Sequence, residues 1–189
     1  MSRPNPPLPT RRQYIVYCDE SRHNACDANP FMGIGGLWVP YAEKDALRRR
    51  FDVLAMESRV AGELKWSKVA RASLPGYQAV VDAFAEEPEL RFRAILVDHR
   101  KADYDGYHRG DAELGFYAFY YHMLVRWMLP DASYIIVLDH KVNAGEGRYA
   151  ALERRLRNAV APSTHIRQVT VADSRESRLA RWRTCSPEP

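Results

Sequence analysis

A chain of 189 residues, 46% hydrophobic and 28% charged, has the size of one domain with a real core and the composition of a soluble globule. No apolar run approaches the roughly 20 residues of a membrane span, and Cys18, Cys26 and Cys185, odd in number and without paired spacing, read as reduced thiols of a cytoplasmic protein. A formal net charge of +4 is compatible with a polyanionic partner without requiring one.

Met1 to Arg12 is Pro-rich and lacks the apolar core of a signal peptide, so residues 1–12 are expected to form a disordered leader. Tyr14 to Asp19 predicts the first strand, because Tyr, Ile and Val favour extended backbone. Asn, Asp, Ala and Pro in Arg22 to Pro30 predict a loop. Phe31 to Val39 predicts a second strand, close enough to the first to make a hairpin. Its glycines Gly33, Gly35 and Gly36 point to a bulge or a close backbone approach. A helix is predicted over Tyr41 to Ser58, with Leu47, Phe51, Leu54 and Ala55 inward and Arg48, Arg49 and Arg50 partly outward. Gly62 to Trp66 has no clear period. Ser73 to Phe84 predicts a second helix, with Pro75 in its first turn and Leu74, Tyr77, Val81 and Phe84 on one side.

Leu90 to Val97 predicts a strand that runs into Asp98, His99 and Arg100. Asp111 to Met128 is the most apolar helical stretch, with one stripe of Leu114, Tyr117, Tyr121, Leu124, Val125 and Met128. Phe116, Tyr120, Met123 and Trp127 cover much of the rest, so this helix is expected to be buried on more than one side. Tyr134 to Asp139 predicts a central strand. Gly147 to Val160 predicts an amphipathic helix with Leu152, Leu156 and Val160 inward. His165 to Val171 alternates as a last strand, with Ile166, Val169 and Val171 apolar. The order is β-β, a helical insert, then β-α-β-α-β. Strand–helix alternation in the second half argues for parallel strands, and the hairpin makes the sheet mixed.

Two apolar strands each deliver an acid at their C-terminal end: Asp19 with Glu20, and Asp139. In open α/β sheets that edge is where ligands gather. The plainer reading is that Asp and Ser after a strand begin a turn. Carboxylates converging without a Cys or His cluster are hard oxygen ligands suited to Mg²⁺ or Mn²⁺. Paired ions about 4 Å apart can serve phosphodiester hydrolysis. The candidate ligands are Asp19, Glu63 and Asp139, with Glu20, Asp98, Glu113 and Asp173 in reserve. Lys65 could contact a phosphate, and a solvated Glu63–Lys65 charge pair is the competing account. His23, His99, His108, His122, His140 and His165 show no zinc spacing. His99 and His140 each follow a strand-end Asp, as a proton shuttle or as polar residues of the sheet edge. No nucleophile elbow and no phosphate-binding glycine loop occurs.

Asp19-Glu20-Ser21 closing the first strand resembles the Asp-Glu-Ser signature of the domain of unknown function 3800 family. Phe31 to Val39 resembles that family's second strand, and Gly62-Glu63-Leu64-Lys65 its Gly-Glu-hydrophobic-Lys motif. The strand ending at Asp139 and the Asp173 to Ser177 stretch match in order. The resemblance spans roughly Tyr14 to Ser177 and implies one ribonuclease-H-like domain over residues 13–177, a mixed five-stranded sheet with flanking helices and a helical insert after the second strand. It implies a divalent-metal-dependent nuclease in which Asp19, Glu63 and Asp139, with Lys65 on phosphate, perform catalysis. Asp19, Glu63, Asp139 and Asp173 would hold Mg²⁺ or Mn²⁺, and Glu113 rivals Glu63. The partner would be RNA or DNA. The competing function is a non-catalytic nucleic-acid- or protein-binding module of a mobile-element or defence system.

Residues 178–189 depart from the family pattern, which continues into a helix bearing Gln-hydrophobic-Ala-Asp-Leu-Leu and a following Gly. From Ala180 the tail can be back-translated so that another frame reads Gln-Val-Ala-Asp-Leu-Leu-Thr-Gly-Ala. A truncated or frame-shifted family member, weak or inactive as a nuclease, is therefore expected. The gene's own codons decide the point.

Overall fold

The computed structural model describes residues 12–21, 30–58, 69–102, 106, 112–139 and 147–172, without the side chains of residues 112 and 113. Five strands and four helices occur among them: β1 Arg12–Ser21, β2 Phe31–Pro40, α1 Lys44–Glu57, α2 Leu74–Ala85, β3 Arg91–Asp98, α3 Ala112–Val125, β4 Ala132–Asp139, α4 Arg148–Ala159 and β5 His165–Ala172.

The sheet order is β3-β2-β1-β4-β5. β2 is antiparallel to both β1 and β3, while β4 is parallel to β1 and β5 to β4. This is the expected mixed five-stranded α/β sheet, hairpin first and parallel strands after. β1 and β4 lie centrally and are buried on both faces, which is why each is nearly continuous in apolar residues. β1, β3, β4 and β5 all run one way, so Ser21, Asp98, Asp139 and Ala172 end at the same edge of the sheet.

Alternation divides the core between the two faces. Tyr14, Val16 and Cys18 of β1, with Tyr134, Ile136 and Leu138 of β4, pack under α3 and α4. Ile15 and Tyr17, with Val137, pack under α1 and α2. α3 buries Phe116, Tyr117, Tyr120, Met123 and Leu124, and its Tyr117 meets Tyr149 of α4 edge-on at 5.6 Å. It is thus covered on two sides, as its apolar circumference requires.

Two elements differ from expectation. In α2 the buried residues are Gly76, Tyr77, Val80 and Ala83, whereas Leu74 and Val81 are exposed. Val80 and Val81 are adjacent and equally apolar, so the sequence allows two stripes; small Gly76 and Ala83 let the helix approach closely on the stripe used. In β5 the ladder skips Arg167 between Tyr134↔Ile166 and Ile135↔Gln168. That bulge puts Ile166 and Val169, three apart, against the same core.

The glycines of β2 make close approaches rather than a bulge, since the β1–β2 register is unbroken. A Cβ on Gly36 would lie 2.8 Å from the Trp38 ring and 3.2 Å from Met123 Cε. Trp38 and Met123 are both buried, so neither yields easily. Gly36→Ala is expected to cost about 1–3 kcal/mol, seen as a lower denaturant midpoint at unchanged slope; an unchanged midpoint would show that the ring can move aside.

Arg48, Arg49 and Arg50 are exposed on α1, as expected. Arg50 is engaged locally, 2.7 Å from Glu86 and paired also with Glu87. No helix among the described residues is long and apolar enough to cross a membrane.

Candidate functional site

The parallel β1–β4 register runs from Arg12↔Ala132 to Tyr17↔Val137. Asp19 and Asp139 each lie two residues beyond the last pair, at the C-terminal edge of the two central strands. Both are half-buried. Asp19 Oδ1 accepts the backbone N–H of Glu20 at 2.8 Å, which fixes its carboxylate close to the strand end.

Glu20 follows Cys18 in the alternation and therefore turns to the α3 side. There Tyr120 Oη donates to Glu20 Oε2 at 2.7 Å. Tyr120 is 2% exposed. Burial pushes its phenol well above the ordinary range, and the neighbouring charges of Glu20, Cys18 and Asp19 push it further. It therefore stays protonated and donates. A small recess at this edge is lined by Glu20 and Asp139 together with Phe116, Tyr117, Tyr120, Leu138 and Tyr149. Aromatic rings make up most of its lining, and Glu20 and Asp139 come to it from the neighbouring strands β1 and β4.

Asp98 ends β3 at the same edge, but β2 separates β3 from β1. Arg100 grips both its oxygens at 2.9 Å and holds its carboxyl below the usual range. A carboxylate so engaged is a poor metal ligand without Arg100 leaving. Burial lowers the pKa of His99, partly offset by Asp98; its backbone N–H bonds to Pro30 O at 2.9 Å.

Glu63, Lys65, Asp173 and His140 lie outside the described residues, as does the side chain of Glu113. Asp173 follows Ala172, which pairs with Asp139 in the β4–β5 ladder. Among the described residues no three His, Cys, Asp or Glu side chains come together as a metal-holding group. The donor chemistry suits a hard cation, but Glu20 and Asp139 alone fall short of a closed ligand set.

Sequence reasoning kept Glu20 only in reserve and gave Tyr120 to helix packing. The available signal was chemical: a tyrosine on a buried helix needs a partner for its hydroxyl. Nothing in the sequence says that the partner is Glu20, 100 residues away.

No protein-family model matches the chain, and no curated protein matches it. Among solved structures it is similar to the crystal structure of Bst-RNase HIII in complex with Mn2+, with a TM-score of 0.42 at 11% identity, over 82% of this chain and 45% of that one. The chain thus spans less than half the length of that protein. The fold class itself rests on strand order and pairing.

Proposed function

We propose that the chain is a divalent-metal-dependent nuclease of the domain of unknown function 3800 family, hydrolysing phosphodiester bonds of RNA or DNA at the acidic edge of its sheet. The observation that carries this reading is the β1–β4 register, which ends two residues short of both Asp19 and Asp139. Two carboxylates from strands far apart in sequence thereby share one edge, where open α/β sheets bind their ligands. The ordered motifs from Asp19 to Asp173 support the family assignment.

In this reading Asp19 and Asp139 hold Mg²⁺ or Mn²⁺, with Glu63 and Asp173 as further ligands. Lys65 contacts a phosphate, and arginines on the helix faces attract the nucleic-acid backbone. A bound divalent cation supplies water activation and stabilisation of the leaving oxygen. The protein's part is to fix the carboxylates so that no reorganisation is needed during reaction.

The test mixes pure protein with Mn²⁺ and labelled RNA or DNA and follows cleavage, alongside calorimetric Mn²⁺ titration. Saturable Mn²⁺ binding with weak metal-dependent cleavage is expected, the departure of residues 178–189 from the family pattern being what weakens it. Binding of nucleic acid with neither cleavage nor Mn²⁺ binding would replace this reading with a non-catalytic binding module.

A further inference from the structure

The two edges of the sheet are finished differently. β5 closes one side with a bulge at Arg167 and with His165, Arg167 and Gln168 exposed, features that keep an edge from pairing with another chain. β3 closes the other side with eight residues, neither Pro nor Lys among them, in unbroken register with β2. Its Arg93 is turned back over the Trp127 ring at 5.2 Å.

The direction of the β3 backbone groups follows from one bond. His99 N–H donates to Pro30 O at 2.9 Å, and these two residues continue the Phe31↔Asp98 register. Bonded pairs of an antiparallel ladder fall on every second residue. Arg91, Arg93, Ile95 and Val97 therefore turn their N–H and C=O groups to β2. Phe92, Ala94 and Leu96 turn theirs outward, where no strand pairs with them among the described residues. The side chains of these three are exposed as well, Leu96 at 73% and Phe92 at 45%. On β2, Gly33 and Gly35 stand opposite Leu96 and Ala94 and place no side chain beside them. Backbone groups and an apolar row are thus offered together.

Charge indicates the occupant. Glu86, Glu87 and Glu89 precede β3, and His99, Arg100 and Lys101 follow it. Glu86 and Glu87 also meet Arg50, and Arg100 meets Asp98, so Glu89 and Lys101 carry most of the match. A second copy running antiparallel brings the acidic flank of each strand to the basic flank of the other, twice over; a parallel copy would set like charges side by side. Two-fold symmetry keeps each face of the joined sheet on its own side. With Ala94 opposite its own copy, Phe92 lies opposite Leu96 of the partner subunit, and outward-facing backbone groups meet their like.

We propose that β3 is the docking edge for a second copy of this chain, the two sheets joining antiparallel about a two-fold axis at Ala94.

Sedimentation velocity of the full chain over a concentration series tests this, comparing wild type, Leu96→Asp, Gln168→Asp, Glu89→Lys, Lys101→Glu and the last two combined. A reversible dimer is expected for wild type and for Gln168→Asp, which alters the far edge. Leu96→Asp places two carboxylates at the junction and should raise the dimer dissociation constant by about 10-fold or more. At so exposed a position it leaves the monomer folded, so its circular dichroism and its urea midpoint in dilute solution should match wild type. Glu89→Lys and Lys101→Glu should each weaken the dimer by about 3-fold or more, and the two together should restore it, which pairing with an unrelated strand would not give. A wild type that stays monomeric, a dimer that survives Leu96→Asp or dissociates in Gln168→Asp, or charge reversals without mutual rescue overturns the proposal.

Discussion

Asp139→Ala and Asp19→Ala are each expected to lower Mn²⁺-dependent cleavage by more than about 100-fold, the upper end of what loss of an outer partner costs a metal site. Both carboxylates sit just past the ordered end of the β1–β4 ladder, so removing either leaves the pairing below it intact. Thermal unfolding of the two variants should therefore stay close to wild type while activity disappears. Asp98→Ala is the internal control. Asp98 shares the edge but is held by Arg100, and its loss should leave cleavage near the wild-type rate. An equal drop in all three variants would show that the edge acts only through its overall negative charge.

How far the sequence reaches is clearest at this edge. The two apolar runs that end in Asp19 and Asp139 are visible because central parallel strands must be apolar on both sides. Their placement beside each other follows from topology: a hairpin followed by β-α-β leaves few ways to order the strands. The stripe of Leu74, Tyr77, Val81 and Phe84 expected for α2 is corrected by the structure, which buries Val80 and exposes Leu74 and Val81, because neighbouring valines satisfy either rotation of the helix. The Glu20–Tyr120 contact was hidden for a different reason. It links a strand end to a helix 100 residues away, and tyrosine in an apolar stripe looks the same whether or not its hydroxyl is used. Asp98 carried a local hint, since Arg100 stands two residues on, within reach of a turn. Glu63, Lys65 and Asp173 lie outside the described residues and stay proposals.

Trp38→Ala is expected to cost about 3–5 kcal/mol, a large part of the roughly 5–15 kcal/mol that holds a domain together. Trp38 is 2% exposed in the core under α3, with its ring 5.8 Å from that of Trp127. Its indole N–H has no hydrogen-bond partner among the described residues, so the loss is one of packing and buried apolar area. Leu96→Ala on β3 provides the contrast. In sequence both are large apolar residues of a predicted strand, but Leu96 is 73% exposed and its removal should shift stability by no more than about 0.5 kcal/mol. Urea titrations of the two variants measure the difference; comparable midpoints would mean that Trp38 is not packed as described.

The order of the strands also bears on how the chain reaches this state. β1 and β2 can zip together as a hairpin, whereas β3 must return to β2 across the helical insert and β4 must find β1 from farther still, pairing Tyr14 with Tyr134. Closing so long a loop costs entropy before any contact offsets it, and folds dominated by such distant pairings form in milliseconds to seconds. Stopped-flow refolding should show Ile136→Val slowing folding less than an equally destabilising change in the β1–β2 hairpin, and the reverse result would make β1–β4 the nucleus. If docking of β4 is the late event, Asp19 and Glu20 of β1 wait for Asp139 until assembly is nearly finished, and a partly folded chain has no shared acidic edge.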